Sequence, residues 1–267
     1  MKSVAPPGLV QRACRRGARL LGYELKPIVA GEDACVVRMR EIRKRLPGLD
    51  GDAREFVEFC LGSLALSNSD NLQDLFVMHE TGSKQEGYFA EIGGADGELG
   101  SNTLALERHL GWRGIVAEPA RCWQAALGRN RGCSIDYRCV SDRTGDTLEF
   151  RECFFPANST IETFAHSDRF APSRRRFMRY QVPTVSLADL LTQHGAPVEF
   201  DYLSLDTEGS ELMILQAFDF ARHRPKVVTV EHCHSPAREA LHALMSRHGY
   251  RRKHAGLSYI DDWYVAT

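Results

Sequence analysis

The pattern of apolar and polar positions along the chain changes near residue 87. Before that point, apolar residues recur at helical spacing over Val10–Leu21, Ala34–Leu46 and Ala53–Leu66. After it, short apolar runs alternate with amphipathic segments. Such alternation predicts a mainly parallel sheet that is covered by helices on both faces. We therefore predict an N-terminal helical annex over residues 1–70 and a doubly wound, Rossmann-like α/β domain over residues 71–267.

The same pattern predicts the individual elements of the α/β domain, because Gly, Pro or polar residues bound each apolar run. The predicted strands are Tyr88–Ile92, Gly114–Ala117, Ile135–Val140, Thr147–Phe150, Phe200–Leu205, Val227–Val230 and Ser258–Val265. The predicted helices are Ser101–Leu110, Ala120–Leu127, Ser210–Phe218, Ala237–His248 and one from Ser186 through Leu191. Ser186 with Asp189, and Ser235 with Pro236, are residue types typical of helix N-termini.

One segment, Glu152–Gln181, is too long for an ordinary link between two elements. It mixes aromatic residues with arginines, among them Arg174, Arg175 and Arg176. One interpretation is a lid, at about residues 152–182, whose arginines bind an anionic acceptor. The other is a solvated, partly disordered loop, and the sequence does not decide between the two.

Charge and cysteine content indicate which partners and which cellular compartment to expect. The formal net charge of -1 gives no global reason for nucleic-acid binding, so we expect no nucleic-acid partner. The basic stretch Val10–Leu21 is either a solvated helix face or a weak contact with a membrane surface. The 8 cysteines form no Cys-x-x-Cys pair, which is typical of free thiols in a reducing compartment. We find neither a secretory signal nor a membrane span in the sequence, and therefore expect a cytoplasmic protein.

A glycine-rich turn follows the first predicted strand, in Glu91-Ile92-Gly93-Gly94-Ala95-Asp96-Gly97. Glycine lets the backbone turn sharply and approach a ligand, and the next helix offers free N–H groups. A dinucleotide would need Gly-x-Gly-x-x-Gly, and neither Gly93 nor Gly94 begins that spacing. The spacing present is Glu-x-Gly-x-x-x-Gly. The carboxylates of Glu91 and Asp96 suit the positive charges of S-adenosylmethionine.

Two further acidic motifs lie at predicted strand ends. Glu118 ends the second strand, where a carboxylate can accept both ribose hydroxyls of a nucleoside; the alternative is a surface glutamate. Asp206 and Glu208 follow a buried strand, at the edge where ligands bind in open α/β sheets. Glu211 is interpreted as a cap of the following helix.

The next predicted strand ends in Glu231-His232-Cys233-His234. His232 is the side chain best suited to accept a proton near neutral pH, which makes it a candidate general base. The alternative is a hydrogen-bonded histidine at a strand end. Because adjacent strand ends approach one another, Asp206, Glu231 and His232 are also candidate ligands of a divalent metal such as Mg, Mn or Zn.

Six short motifs occur in order between Asn71 and the C-terminus. They are Gln73-Asp74-Leu75-Phe76-Val77, Gly87-Tyr88-Phe89-Ala90-Glu91-Ile92-Gly93, Ser101-Asn102-Thr103, Gly111-Trp112-Arg113-Gly114, Ala117-Glu118-Pro119 and Leu205-Asp206-Thr207-Glu208-Gly209-Ser210-Glu211. Together they resemble the FkbM-type family of S-adenosylmethionine-dependent methyltransferases. The resemblance implies a class I methyltransferase fold, with a seven-stranded sheet and one antiparallel strand near the C-terminus. One departure is visible, since Ala95 stands where the family's turn suggests asparagine.

The resemblance also implies methylation of an oxygen, often a hydroxyl of a sugar or of a polyketide-derived product, although the acceptor itself does not carry over. We therefore predict an S-adenosylmethionine-dependent methyltransferase acting on a hydroxyl of a sugar, a glycan or a small natural product. The alternative is a non-catalytic binding or scaffold protein on the same fold. The candidate catalytic residues are His232, Asp206 and Glu208. The candidate cofactor-binding residues are Glu91, Gly93, Gly94, Ala95, Asp96, Gly97, Ser101, Asn102, Glu118, Pro119, Ser141 and Asp206.

Overall fold

The structure is a computed structural model that describes residues 49–168 and 170–267. The predicted helices Val10–Leu21 and Ala34–Leu46 lie outside the described residues. The helices are α1 (Gly51–Ser63), α2 (Gln73–Glu80), α3 (Leu104–Leu110), α4 (Arg121–Asn130), α5 (Leu187–Gln193), α6 (Glu211–Ala217) and α7 (Arg238–Arg247). The strands are β1 (Tyr88–Ile92), β2 (Arg113–Ala117), β3 (Ser134–Asp136), β4 (Cys139–Ser141), β5 (Thr147–Cys153), β6 (Thr160–Ile161), β7 (Phe177–Ser186), β8 (Glu199–Leu205), β9 (Arg224–Glu231), β10 (Tyr250–Lys253) and β11 (Asp261–Ala266).

Seven strands form the main sheet, in the order β10-β11-β9-β8-β1-β2-β3. Strands β3, β2, β1, β8 and β9 run parallel, and β11 is antiparallel to both of its neighbours. The predicted seven-stranded sheet with one antiparallel strand near the C-terminus is therefore confirmed. The strand order reverses between β1 and β8, which is the position where open α/β sheets bind their ligands.

The two faces of the main sheet pack against different helices, because successive side chains of a strand point to opposite faces. On one face, Ala90 and Ile92 of β1 belong to a core that includes apolar residues of α5, α6 and α7. On the other face, Phe89 belongs to a core with residues of α1, α2, α3 and α4. Helices on both faces confirm the doubly wound architecture. Glu91 shares the face of Phe89, and this places its carboxylate on the side of α3.

The described part of the predicted annex is α1, followed by a short 3-10 turn at Leu64–Leu66. Phe56 of α1 packs edge-on against Phe76 of α2 and against Trp263 of β11, with ring centroids 6.0 and 5.7 Å apart. This helix therefore shares a core with the sheet. A separate helical annex over residues 1–70 is not confirmed.

A second sheet of four strands, in the order β4-β7-β5-β6, lies beside the main one. It corrects two expectations. The predicted strand Ile135–Val140 is divided between the two sheets, because the chain turns where Asp136 accepts a hydrogen bond from the backbone N–H of Arg138. The segment Glu152–Gln181 also has regular structure, since β5 and β7 pair antiparallel from Thr147↔Pro183 to Cys153↔Phe177.

The two predicted helix N-termini have different outcomes. Ser186 caps α5 as predicted, and its hydroxyl accepts a hydrogen bond of 3.1 Å from the backbone N–H of Asp189. Ser235 does not cap α7, which begins after Ala237. Instead, the carbonyl of Ser235 accepts from the N–H of Arg238 and closes a preceding turn. No helix within residues 49–168 and 170–267 combines the length and the apolar character that crossing a bilayer requires.

Candidate active site

The glycine turn after β1 is held between the ends of its two neighbouring strands. The Gly93 N–H donates to the carbonyl of Ala117, and the Asp206 N–H donates to the carbonyl of Ile92, each at 2.9 Å. Gly93 has a φ of +90°, and a Cβ atom there would lie 1.7 Å from the carbonyl oxygen of Asp206. Only glycine therefore fits, and the turn is fixed directly to the end of β8.

Ala95 occupies the position where the related family suggests asparagine. Its φ of +46° lies in the left-handed region, which asparagine tolerates better than alanine does. The Ala95 N–H donates to a carboxylate oxygen of Glu118 at 2.9 Å. The turn therefore keeps its conformation with a less suitable residue, and Glu118 helps to hold it.

The carboxylate of Glu91 is buried, and polar groups of the chain surround it. It accepts hydrogen bonds from the hydroxyl of Ser101, the N–H of Asn102, the hydroxyl of Thr103 and the guanidinium of Arg131, at 2.5–3.1 Å. These partners hold the start of α3 against the end of β1. The structure therefore gives Glu91 a structural role in shaping the turn, rather than leaving its charge free for a cofactor.

Arg131 follows α4, and sequence reasoning missed it. Its side chain is fully buried and pairs with Glu91 at 3.0 Å and with Glu107 at 2.8 Å. Burial alone would lower the pKa of Arg131, but the two carboxylates raise it. A Cβ atom at Gly97 would lie 2.6 Å from Cγ of Arg131, and this contact explains the second glycine of the turn. No local sequence pattern marks Arg131, because its partners are distant in the chain.

A pocket, which we call the donor pocket, opens at the carboxyl ends of β1, β2 and β8. Most of the predicted residues line it: Glu91, Gly93, Gly94, Ala95, Ser101, Asn102, Glu118, Pro119, Asp206 and Glu208. Three predicted cofactor residues do not. Asp96 caps the following loop by accepting from the N–H groups of Glu98 and Leu99, and Gly97 packs on Arg131. The hydroxyl of Ser141 bonds to Asp142, whereas its neighbours Cys139 and Val140 line the pocket.

The second sheet and its turns supply a wall of the donor pocket that the sequence did not indicate. Its lining residues are Phe150, Pro156, Ala157, Ser159 and Ile161. The sequence marked this segment as unusual but associated it only with the acceptor. Asp70 also lines the pocket, although it was predicted to lie in the annex.

Glu118 and Asn102 keep unused hydrogen-bonding capacity in the donor pocket. The two oxygens of Glu118 accept from the N–H groups of Ala95 and Ala120, and each retains a further lone pair. Burial raises the pKa of Glu118 to about 7. Asn102 donates to Ser204 through its Nδ2 atom, while its buried Oδ1 atom has no hydrogen-bond partner. This oxygen can therefore accept a hydrogen bond from a ligand.

Three carboxylates, which we call the acid trio, meet where β8 and β9 end. Asp206, Glu208 and Glu231 each offer an oxygen atom, and these atoms lie within 4.8 Å of one another. Burial raises the pKa of Asp206 to about 7. Burial, and then the charge of Asp206, raise the pKa values of Glu208 and Glu231 well above their usual range. The trio therefore holds protons near neutral pH.

The predicted metal ligands change with this geometry. The described residues that could share an ion are Asp206, Glu208 and Glu231, so that Glu208 takes the place predicted for His232. The nearby Glu211 lies in the first turn of α6, but it binds the preceding loop and does not cap the helix as predicted. Its carboxylate accepts from the N–H groups of Thr207 and Gly209, at 2.8 and 3.1 Å, and closes the loop before α6.

His232 lies outside the donor pocket. Its Nδ1 atom accepts from the N–H of His234 at 2.9 Å, so the neutral ring carries its proton on Nε2. Nε2 is buried without a hydrogen-bond partner, 3.8 Å from Asp262. Burial lowers the pKa of His232 to about 4. In this geometry Nδ1 is bonded within the turn after β9, and His232 borders a cavity next to the donor pocket, so its role as the general base stays a prediction.

The arginines that were predicted to bind an anionic acceptor are arranged otherwise. Arg174 is completely buried and donates to both oxygens of Asp168, at 2.8–2.9 Å, and to Glu208 at 2.6 Å. Its guanidinium is therefore already paired with carboxylates. Arg175 is exposed, and Arg176 stacks over the ring of Phe154 at 4.5 Å.

The sheet order, the glycine turn after β1 and the acidic residue that ends β2 define a Rossmann-like methyltransferase fold. Residues 91–252, more than half of the chain, match the model of the methyltransferase FkbM domain. The chain belongs to this family, and the family implies an enzyme that uses S-adenosylmethionine.

The chain was also compared with solved structures and with curated proteins. A solved structure, the precorrin-6y C5,15-methyltransferase from Geobacter metallireducens, has 11% sequence identity to this chain and a TM-score of 0.37. The match covers 72% of this chain and 85% of that protein. No curated protein matches the sequence.

Proposed function

We propose that the protein transfers a methyl group from S-adenosylmethionine to a hydroxyl of a sugar, a glycan or a small natural product. The observation that carries this proposal is the position and the raised pKa of Asp206. Its carboxyl group lines the donor pocket, and burial raises its pKa to about 7. A general base is most effective when its pKa lies near the working pH.

The unused polar groups of the donor pocket fit the cofactor. The remaining lone pairs of Glu118 suit the ribose hydroxyls, as carboxylates at this strand end do in related folds. The unpartnered Oδ1 atom of Asn102 suits a donor such as the ammonium group of the methionine part. The negative charge that Asp206 and its neighbours can carry suits a sulfonium.

When bound, S-adenosylmethionine supplies the methyl group and leaves as a neutral thioether. The task of the chain is to align the acceptor oxygen and to remove its proton. Alignment of reacting atoms can contribute several kcal/mol. Asp206 accepts the hydroxyl proton as the new oxygen–carbon bond forms, and Glu208 and Glu231 lie beside it in the acid trio.

The test compares Asp206→Asn with Asp219→Asn, an exposed aspartate in the turn before β9. Methyl transfer is measured with labelled S-adenosylmethionine and an extract of host glycans and small metabolites. Loss of the base should lower the rate of Asp206→Asn by about 10²–10⁴-fold, whereas Asp219→Asn should keep the wild-type rate. Equal rates for the two variants would contradict the role of Asp206.

Calorimetry distinguishes this enzyme from the alternative of a scaffold protein. An enzyme should show saturable heat of binding with S-adenosylmethionine, and Glu118→Gln should weaken it. A scaffold that has lost its cofactor should show no heat with the wild-type chain.

A divalent cation is a second candidate occupant of the acid trio, since three carboxylates suit Mg²⁺ or Mn²⁺. Arg174 already supplies a positive charge to Glu208, at 2.6 Å. We therefore favour transfer without a metal. The rate should survive incubation with EDTA, and a loss that Mg²⁺ restores would assign the trio to a metal instead.

A further inference from the structure

A second cavity of about 420 Å³ lies beside the donor pocket. Three parts of the chain enclose it: the start of α6, the end of β9 with the turn that follows, and the segment between β6 and β7. Its lining includes Phe164, Asp168, Met213, Gln216, Glu231 and Ala237. Such a volume suits a small organic molecule.

The second cavity and the donor pocket lie on opposite sides of one turn, residues 206–211. Glu208 and Ser210 line the donor pocket, and Gly209 and Glu211 line the second cavity. The acid trio crosses the same boundary, because Asp206 and Glu208 face the donor pocket and Glu231 faces the second cavity. The proposed base therefore lies where the two spaces adjoin.

The wall of the second cavity is tightly built on the side of the inserted segment. A Cβ atom at Gly209 would lie 2.7 Å from Oγ of Ser167 and 3.2 Å from Cβ of Phe164. Arg174 connects Asp168, in this wall, to Glu208 of the acid trio. The segment that walls the cavity is thus tied by charged hydrogen bonds to the proposed catalytic group.

The charges around the second cavity disfavour an anion. Glu211 and Glu231 line it, and the rest of the acid trio is adjacent. The nearest buried guanidinium, that of Arg174, is already paired with two carboxylates. Neither Lys nor Arg is among the described residues that line the cavity, so a phosphate or carboxylate brought here would find no ammonium or guanidinium partner. A hydroxyl or an ammonium group can instead donate hydrogen bonds to the carboxylates.

We propose that the second cavity receives the methyl acceptor, and that the part of the acceptor bound there is uncharged or cationic. This inference rests on the proposed function. It replaces the earlier expectation of an anionic acceptor held by arginines. Phe164 and Met213 would contact the apolar parts of the acceptor, and Glu231 would bind its donor groups.

The test fills the cavity without touching the donor pocket. Ala237→Trp places an indole at a lining position just before α7, and Ala240→Trp places the same group at an exposed position of α7. Gln216→Trp, at an exposed lining position on α6, is a second cavity variant. Calorimetry with S-adenosylhomocysteine should give the wild-type affinity for all three variants, which also shows that they are folded.

The acceptor class is tested by separating a host metabolite extract into anionic, neutral and cationic fractions by ion exchange. Each fraction is incubated with labelled S-adenosylmethionine. Wild type and Ala240→Trp should label the neutral or cationic fraction, and both cavity variants should lose at least about tenfold in rate, since the filled cavity excludes the acceptor.

Two outcomes overturn this proposal alone: labelling confined to the anionic fraction, or labelling that both cavity variants retain at the wild-type rate. If the wild-type chain binds the donor but labels no fraction, the proposed function is rejected, and this proposal with it. The two failures are therefore distinguishable.

Discussion

Two groups of buried acids, at and beside the donor pocket, differ in how their charge is balanced. At the end of β1, Glu91 accepts hydrogen bonds from four residues, one of which is the fully buried Arg131. On the β9 side, the acid trio has three carboxylates, and Arg174 donates only to Glu208 among them. Both groups lie at carboxyl ends of parallel strands, so position in the fold does not distinguish them.

The number of hydrogen-bond partners distinguishes a carboxylate that holds the fold from one that can react or bind a ligand. A carboxylate whose oxygens are filled by the chain holds the chain in place and has little capacity for a ligand. A carboxylate that is buried without a full set of partners has a raised pKa, and it is ready to exchange a proton or to meet a cation. Glu91, the acid named first by the sequence motif, is thus held by hydrogen bonds from the chain, and the acids of the trio are the ones proposed to take part in the chemistry.

The largest loss of stability should follow from removing Arg131, the cationic partner of Glu91. Arg131→Met leaves Glu91 buried without its cationic partner, and breaking a buried pair in this way costs about 3–5 kcal/mol. The free energy of unfolding in urea measures this loss. Arg129→Met, at an exposed position of α4, should change stability by less than about 0.5 kcal/mol. Similar values for both variants would remove the distinction between the two acid groups.

Replacing Glu by Gln should lower the free energy of unfolding more at Glu91 than in the acid trio. Glu91→Gln gives up charged hydrogen bonds and should cost about 2 kcal/mol at pH 8. Burial raises the pKa of Glu231 well above its usual range, so Glu231→Gln gives up less charge and should cost less stability than Glu91→Gln. Urea denaturation of both variants at pH 8 gives the comparison directly. A loss at Glu231 as large as that at Glu91 would show that the trio is structural too.

Cofactor affinity should depend on pH through the groups with pKa values near 7. Below pH 7, Asp206 and Glu118 are protonated, because their pKa values are raised to about 7. Above pH 7, both groups are ionised, and their carboxylates attract the cationic cofactor. S-adenosylmethionine should therefore bind about tenfold more weakly at pH 6 than at pH 8 for each group that must ionise, or about 1.4 kcal/mol. Calorimetry should find a smaller difference for Asp206→Asn, and an unchanged difference would assign the effect elsewhere.

The smallest change in stability is expected at Ala95, in the glycine turn that borders the donor pocket. Because Ala95 has a left-handed backbone, Ala95→Asn should raise the free energy of unfolding by about 0.5–1 kcal/mol. Ala125→Asn, at an exposed helical position of α4, should instead destabilise, since asparagine is a poorer helix former. A loss of stability at both positions would show that the turn is not strained.

Much of the main sheet could be predicted from the sequence, because each apolar run stands alone between clear breaks. Strand β1 was predicted with its observed limits, and the glycine turn and Glu118 were predicted as parts of one pocket. The second sheet could not be predicted, since Cys139 pairs with Thr184 and no local pattern records such a distant pairing. Arg131 was missed for the same reason. The environment of His232 could not be predicted either, because its chemical type says nothing about the direction in which its ring nitrogens point.

The position of β1 in the sheet also bears on the order in which the molecule folds. Glu91 pairs with Val116 of β2, which is close in sequence, and with Ser204 of β8, which is synthesised much later. Distant pairings form slowly, because a long loop must close before they contribute. During synthesis, the glycine turn and β2 can therefore associate before β8 has been made. The contact between Gly93 and Asp206 then completes the pocket, and a growing chain that lacks β8 has only half of a donor site.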